Sequence, residues 1–158
     1  MNVCYNVLVL GDSKCGKTEL IKSLLCKEFN HIYFPTHGVS RLYDQTNRIC
    51  YLDIPGESKK KLDIHDLAEK AQLVLIVYDP ASMIQHSGLR WWRSKIPKGV
   101  NVFVVKSKCD IPLKSRLPKE GYNCSSKDFG GTDLLRSRII HLANEYTRYQ
   151  DALKKVKS

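Results

Sequence analysis

The chain has no apolar run near the roughly eighteen residues that a bilayer-crossing helix requires, so a membrane span of that kind is not expected. Its N-terminus lacks a basic region followed by a small-residue cleavage site, which argues against a secretory leader. No C-x-x-C pair occurs. The six cysteines, Cys4, Cys15, Cys26, Cys50, Cys109 and Cys124, are widely scattered, which disfavours both a zinc site and a disulfide framework. Most lie in apolar stretches, where a reduced cysteine behaves as a small hydrophobe. A reducing, cytoplasmic setting is therefore expected. Carboxylates are scarce: 16 Asp and Glu stand against 26 Lys and Arg, a formal charge of +10. Such an excess suggests an acidic target, but no RNA-recognition or zinc-finger motif accompanies it. The surplus is spread over Lys59-Lys60-Lys61, Arg90 to Lys98, Lys114 to Lys119, and Lys154 to Lys157. No specific nucleic acid is predicted. Weak contact with an acidic partner or membrane surface is the expectation.

What is present fits one ordinary domain spanning residues 1–158, with residues 154–158 read as a basic tail. Apolar residues make up 42% and charged residues 27%, a normal globular balance. Val3 to Leu10 reads as a buried strand ending at Gly11, and Thr18 to Phe29 carries apolar residues at helical spacing. Val39 to Tyr43 and Arg48 to Asp53 read as strands joined by a polar turn. Pro55-Gly56 breaks the chain, and a short helix is expected within Asp63 to Ala71. Leu73 to Tyr78 and Asn101 to Val105 are strands around a helix over Ser82 to Ser94. Ile111 to Glu120 reads as loop and Gly121 to Cys124 as a short last strand. From Thr132, Leu135, Ile139, Leu142, Tyr146 and Leu153 line one face of a long helix. Strands alternating with helices predict an α/β domain with a mostly parallel sheet. Gly11, Asp53, Lys106 and Cys124 all fall at strand ends, on the rim where such sheets bind ligands.

Gly11-x-x-x-x-Gly16-Lys17-Thr18 matches the phosphate-loop pattern in full, after a strand and opening a helix. The glycines let the backbone of Gly11, Asp12, Ser13, Lys14, Cys15 and Gly16 curl, so that successive N–H groups can face phosphate oxygens. Lys17 supplies a cation to the terminal phosphates, and the Thr18 hydroxyl is a candidate Mg²⁺ ligand. The helix N-terminus adds partial positive charge. The loop indicates a nucleotide without saying which one.

Four further stretches do. Phe29, Tyr33, Pro35 and Thr36 follow Lys17; Asp53-Ile54-Pro55-Gly56-Glu57 closes a strand; Ser107-Lys108-Cys109-Asp110 follows another; and Ser125-Ser126-Lys127 comes last. In this order they resemble the Ras superfamily of small GTPases, with Gly11-Asp12-Ser13 most like its Rab members. The resemblance spans essentially the whole chain. It implies a P-loop fold with helices on both sheet faces, GTP or GDP as ligand, and Mg²⁺ held by Thr18, Thr36 and Asp53. Phe29 would pack on the guanine, Asp110 would read its N1–H and amine, Lys108 would lie over the base, and Ser125, Ser126 and Lys127 would meet its oxygen. Lys17, Gly56 and Glu57 would be the catalytic group, and partners would dock through Tyr33 to Gly38 and Gly56 to Asp63.

The chain also departs from that pattern. Glu57 stands in place of glutamine, which orients the attacking water and donates toward the phosphoryl group; a carboxylate donates nothing there. Pro55 stiffens a loop that must move. Ser107 replaces asparagine, and its shorter side chain loses one of the amide's two functions, since it cannot reach the base and brace the phosphate loop at once. The stretch from Asp110 to Ser125 is short for the family. No prenylation box or myristoylation glycine is found, so no stable lipid anchor is expected. The predicted function is a GTP/GDP switch with slow or atypical hydrolysis; the alternatives are a pseudo-GTPase that holds nucleotide without turnover, and a P-loop kinase.

Overall fold

The computed structural model describes residues 3–26, 38–56, 62–108, 121–126 and 130–158, with residues 83–87 described in backbone only. In chain order the elements are β1 (Tyr5–Leu10), α1 (Lys17–Leu24), β2 (Ser40–Asp44), β3 (Ile49–Asp53), α2 (Ile64–Lys70), β4 (Leu73–Tyr78), α3 (Met83–Ser94), β5 (Asn101–Lys106), β6 (Tyr122–Asn123) and α4 (Thr132–Lys157). The six strands form one sheet in the order β2-β3-β1-β4-β5-β6. All neighbouring pairs are parallel except β2 with β3.

Side-chain alternation along the strands builds two cores, one on each face of the sheet. Tyr5, Val7 and Val9 of β1 join Ile49, Tyr51, Leu73, Leu75 and Val77 on the face covered by α1 and α4. Leu8 and Leu10 join Cys50, Leu52, Val74 and Ile76 on the face covered by α2 and α3. The near-continuous apolar run of β4 follows from this, because all six of its residues are buried. In α4 the buried seam is Thr132, Leu135, Ile139 and Ala143, with Leu142 and Tyr146 at its margin.

Several boundaries differ from the sequence expectation. Helix α1 stops at Leu24 instead of running to Phe29: Leu25 N–H bonds Ile21, Cys26 N–H bonds Ser23, and Cys26 then takes a φ of 58°. An L-residue in that conformation cannot continue a right-handed helix. Helix α2 falls within the expected Asp63 to Ala71 and is capped by the Asp63 carboxylate, which accepts from Asp66 N–H at 3.0 Å. β6 is only two residues long. Lys154, Lys155 and Lys157 lie in the last turn of α4, where cations complement the helix dipole. Residues 109–120, and with them most of the stretch expected to be shortened between Asp110 and Ser125, lie outside the described residues.

Candidate functional site

The carboxyl ends of β3, β1, β4 and β5 open on one rim, with Asp53 beside Val9 and Tyr78 beside Lys106 in register. Gly11 leaves β1 pressed against the neighbouring strand. A Cβ there would overlap the Val77 carbonyl oxygen and lie 2.7 Å from Cys15 Sγ, so the tight exit needs glycine. Lys14 (φ 62°) and Gly16 (φ 97°) take left-handed conformations that curl the loop before α1 begins at Lys17. Lys17 is almost fully buried. Its ammonium donates to the carbonyls of Gly11 at 2.9 Å and Asp12 at 3.0 Å. Burial pushes the Cys15 thiol up from its usual pKa, against the pull of the nearby Lys17 ammonium, so this loop cysteine is a neutral packing group.

Two other segments reach the same loop. The Thr18 hydroxyl donates to Asp53 Oδ2, which brings a hydroxyl oxygen and a buried carboxylate into contact. A hard oxygen pair of this kind fits a divalent cation such as Mg²⁺. Among the described residues no cluster of three or more His, Cys, Asp or Glu side chains offers a competing metal site. Gly56 lies directly on the phosphate loop: a Cβ at Gly56 would overlap Ser13 N and come within 2.5 Å of the Asp12 carbonyl carbon.

On the other side, Ser107 is buried and its hydroxyl faces the carbonyls of Cys15 and, at 3.1 Å, Tyr78. The serine thus keeps the bracing contact to the phosphate loop. The Lys108 ammonium donates to the Lys14 carbonyl at 2.7 Å and pairs with Asp79 Oδ2 at 3.0 Å. Ser125 N–H bonds Gly130 at 2.8 Å, and the Ser126 carbonyl accepts from Ser23 of α1 at 3.3 Å. Gly11 to Thr18, Asp53, Gly56, Ser107, Lys108, Ser125 and Ser126 are therefore drawn to one rim. Phe29, Tyr33, Thr36, Glu57, Asp110 and Lys127 lie outside the described residues.

Sequence reasoning missed Asp79, Gly88 and Trp92. Asp79 lies just past β4, and a carboxylate ending a central parallel strand is itself a site signal. Trp92 N–H donates to Asp12 Oδ1 at 3.0 Å, a partnership across eighty positions that no local pattern announces.

A family model described as Ras of Complex, Roc, domain of DAPkinase matches residues 6–110, from β1 through the segment after β5. The chain belongs to this family of Ras-like GTPase domains. The Roc-type domain is also 26% identical over 139 residues to Ras-related protein Rab-15 of Mus musculus, covering 82% of this chain and 66% of that protein. It is 27% identical over 143 residues to Ras-related protein Rab-13 of Bos taurus, covering 80% of this chain and 67% of that protein. The chain thus spans about two thirds of the length of these relatives. These matches identify a Rab-like small GTPase of the Ras superfamily. Among the described residues no helix is long and apolar enough to cross a membrane.

Proposed function

We propose that this Roc-type domain binds GTP and GDP with Mg²⁺ at the rim built on Gly11 to Thr18, and acts as a switch with slow hydrolysis. One observation carries the reading: Lys17, the Thr18–Asp53 pair and Gly56 converge on the same curled loop. Lys17 neutralises the terminal phosphates, and the loop amides orient them. Thr18 and Asp53, joined by Thr36 in the triphosphate state, hold the cation. When bound, Mg²⁺ neutralises charge on the β- and γ-phosphates. Gly56 presents its N–H at the γ-phosphate, which couples the state of the nucleotide to Gly56–Asp63 and Tyr33–Gly38 as docking segments for effectors and regulators. Asp110 and Lys108 select guanine, with Ser125, Ser126 and Lys127 on its oxygen and Phe29 against its face.

Glu57 is the proposed weak point. It accepts from the attacking water but cannot donate toward the phosphoryl group, and its charge opposes the γ-phosphate. Glu57→Gln is expected to raise the single-turnover hydrolysis rate at least tenfold; a brisk wild-type rate that the change leaves alone overturns slow turnover. GTP that persists for hours in the wild type and in Glu57→Gln alike favours the pseudo-GTPase reading. Nucleotide released by denaturing the purified protein is expected to be guanosine phosphate, and Lys17→Ala is expected to weaken its binding by a factor of a hundred or more. Undiminished affinity in Lys17→Ala sinks the site.

A further inference from the structure

Asp12 occupies the second place of the phosphate loop, yet its carboxylate is turned into the fold. Trp92 of α3, with 1% of its surface exposed, donates its indole N–H to Asp12 Oδ1 at 3.0 Å. On the same helix, one turn earlier, Gly88 leaves the space that the other carboxylate oxygen occupies: a Cβ at Gly88 would overlap Asp12 Oδ2 and stand 2.9 Å from Cγ. The α3 surface therefore carries both a donor and a notch shaped to this side chain.

The main chain of Asp12 is where three parts of the site meet. Its carbonyl accepts from Lys17 Nζ at 3.0 Å and from Cys15 N–H at 3.3 Å. Its carbonyl carbon lies against Gly56. Any displacement of Asp12 moves the Lys17 ammonium and the seat of Gly56 together. A hydrogen bond to a carboxylate is also among the stronger kinds, and here its donor side is buried while the acceptor is partly so.

We infer that Trp92 is a positioning residue: through the Asp12 carboxylate, and with Gly88 as its notch, α3 sets the phosphate loop and so governs how long guanine nucleotide stays bound. The inference rests on the nucleotide reading proposed above. It makes α3 a determinant of residence time. Gly88→Ala separates this role from mere structural support. Alanine is the better helix former, so the helix gains while the notch is lost, and the displaced group is a side-chain end that can move without unfolding the protein.

Dissociation of fluorescently labelled GDP from the full chain, with Mg²⁺ present, tests the assignment. Trp92→Phe keeps an aromatic ring but no donor. It is expected to speed release roughly tenfold, the scale of one charge-assisted hydrogen bond, and Gly88→Ala to speed it by a similar factor with an undiminished helical signal. Asp12→Asn retains an oxygen acceptor and should lose less than Asp12→Ala. In an Asp12→Ala background, Trp92→Phe should add no further acceleration. Wild-type release in both Gly88→Ala and Trp92→Phe overturns the inference, as does an additive double variant. Should Trp92→Phe fail to fold, Gly88→Ala and the Asp12 pair decide alone. A wild-type protein that takes up no guanine nucleotide refutes the underlying reading instead, and the inference goes with it.

Discussion

Single atoms decide much of this site. At Gly56 a single methyl group would strike the Ser13 nitrogen and the Asp12 carbonyl carbon, both backbone and both fixed by the loop. Relief requires the two segments to separate, at the roughly 1–3 kcal/mol typical of overpacking. Gly56→Ala is accordingly expected to reduce labelled-GTP affinity about tenfold or more, measured by titration, with a smaller effect on GDP. Affinity equal for both nucleotides and unchanged from wild type would show that the contact is not used. The residue scale is also where the sequence was least even as a guide. The curled loop over Gly11, Gly16, Lys17 and Thr18 was legible because its spacing is what such a turn into a helix requires. Ser107 was half legible: its shortness was plain, but its burial against the Cys15 and Tyr78 carbonyls depends on how β4 and β5 end side by side. The Lys108–Asp79 pair and the Trp92–Asp12 bond join residues far apart in sequence, and only the folded sheet brings them together.

Among the elements, α4 shows how far periodicity reaches. The helix and its core-facing residues were readable because 3.6-residue spacing places Leu135 and Ile139 on one stripe. Where that stripe stops being covered was not readable, since it depends on the size of the sheet beneath. Ile139 is fully buried whereas Val156 is 85% exposed on the same helix. Ile139→Ala is expected to lower unfolding free energy by about 2–5 kcal/mol, and Val156→Ala by under ~0.5 kcal/mol, in matched urea titrations. Equal losses would mean that α4 does not pack as described. The early end of α1 makes the converse point. Apolar spacing continues past Leu24, but Cys26 in a left-handed conformation overrides it, and nothing in a cysteine announces that backbone.

For the whole molecule, pH exposes the cost of burying polar groups in two apolar layers. Burial raises the pKa of Tyr5 from 10.0 to about 12 and pushes Tyr51 up as well. Below about pH 9 both hydroxyls are essentially neutral whether the chain is folded or not. Above it the unfolded chain releases those protons first, so folded stability is lost as pH climbs toward the folded pKa. The urea midpoint is expected to fall between pH 9 and pH 11, and Tyr5→Phe to flatten that fall while leaving the midpoint at pH 7 close to wild type. An identical alkaline slope in Tyr5→Phe would remove Tyr5 as a cause. The mostly parallel α/β plan itself was evident from strands alternating with helices, since a sheet clad on both sides needs the apolar runs seen in β1 and β4. The division into two oil layers has one more effect. Tyr5, Val7 and Val9 of β1 feed one layer and Leu8 and Leu10 the other, and Gly11 is simply the next step in that count. One residue inserted between Tyr5 and Leu10 would therefore do double damage, exchanging the strand's two sides and turning the start of the nucleotide cradle away from Val77.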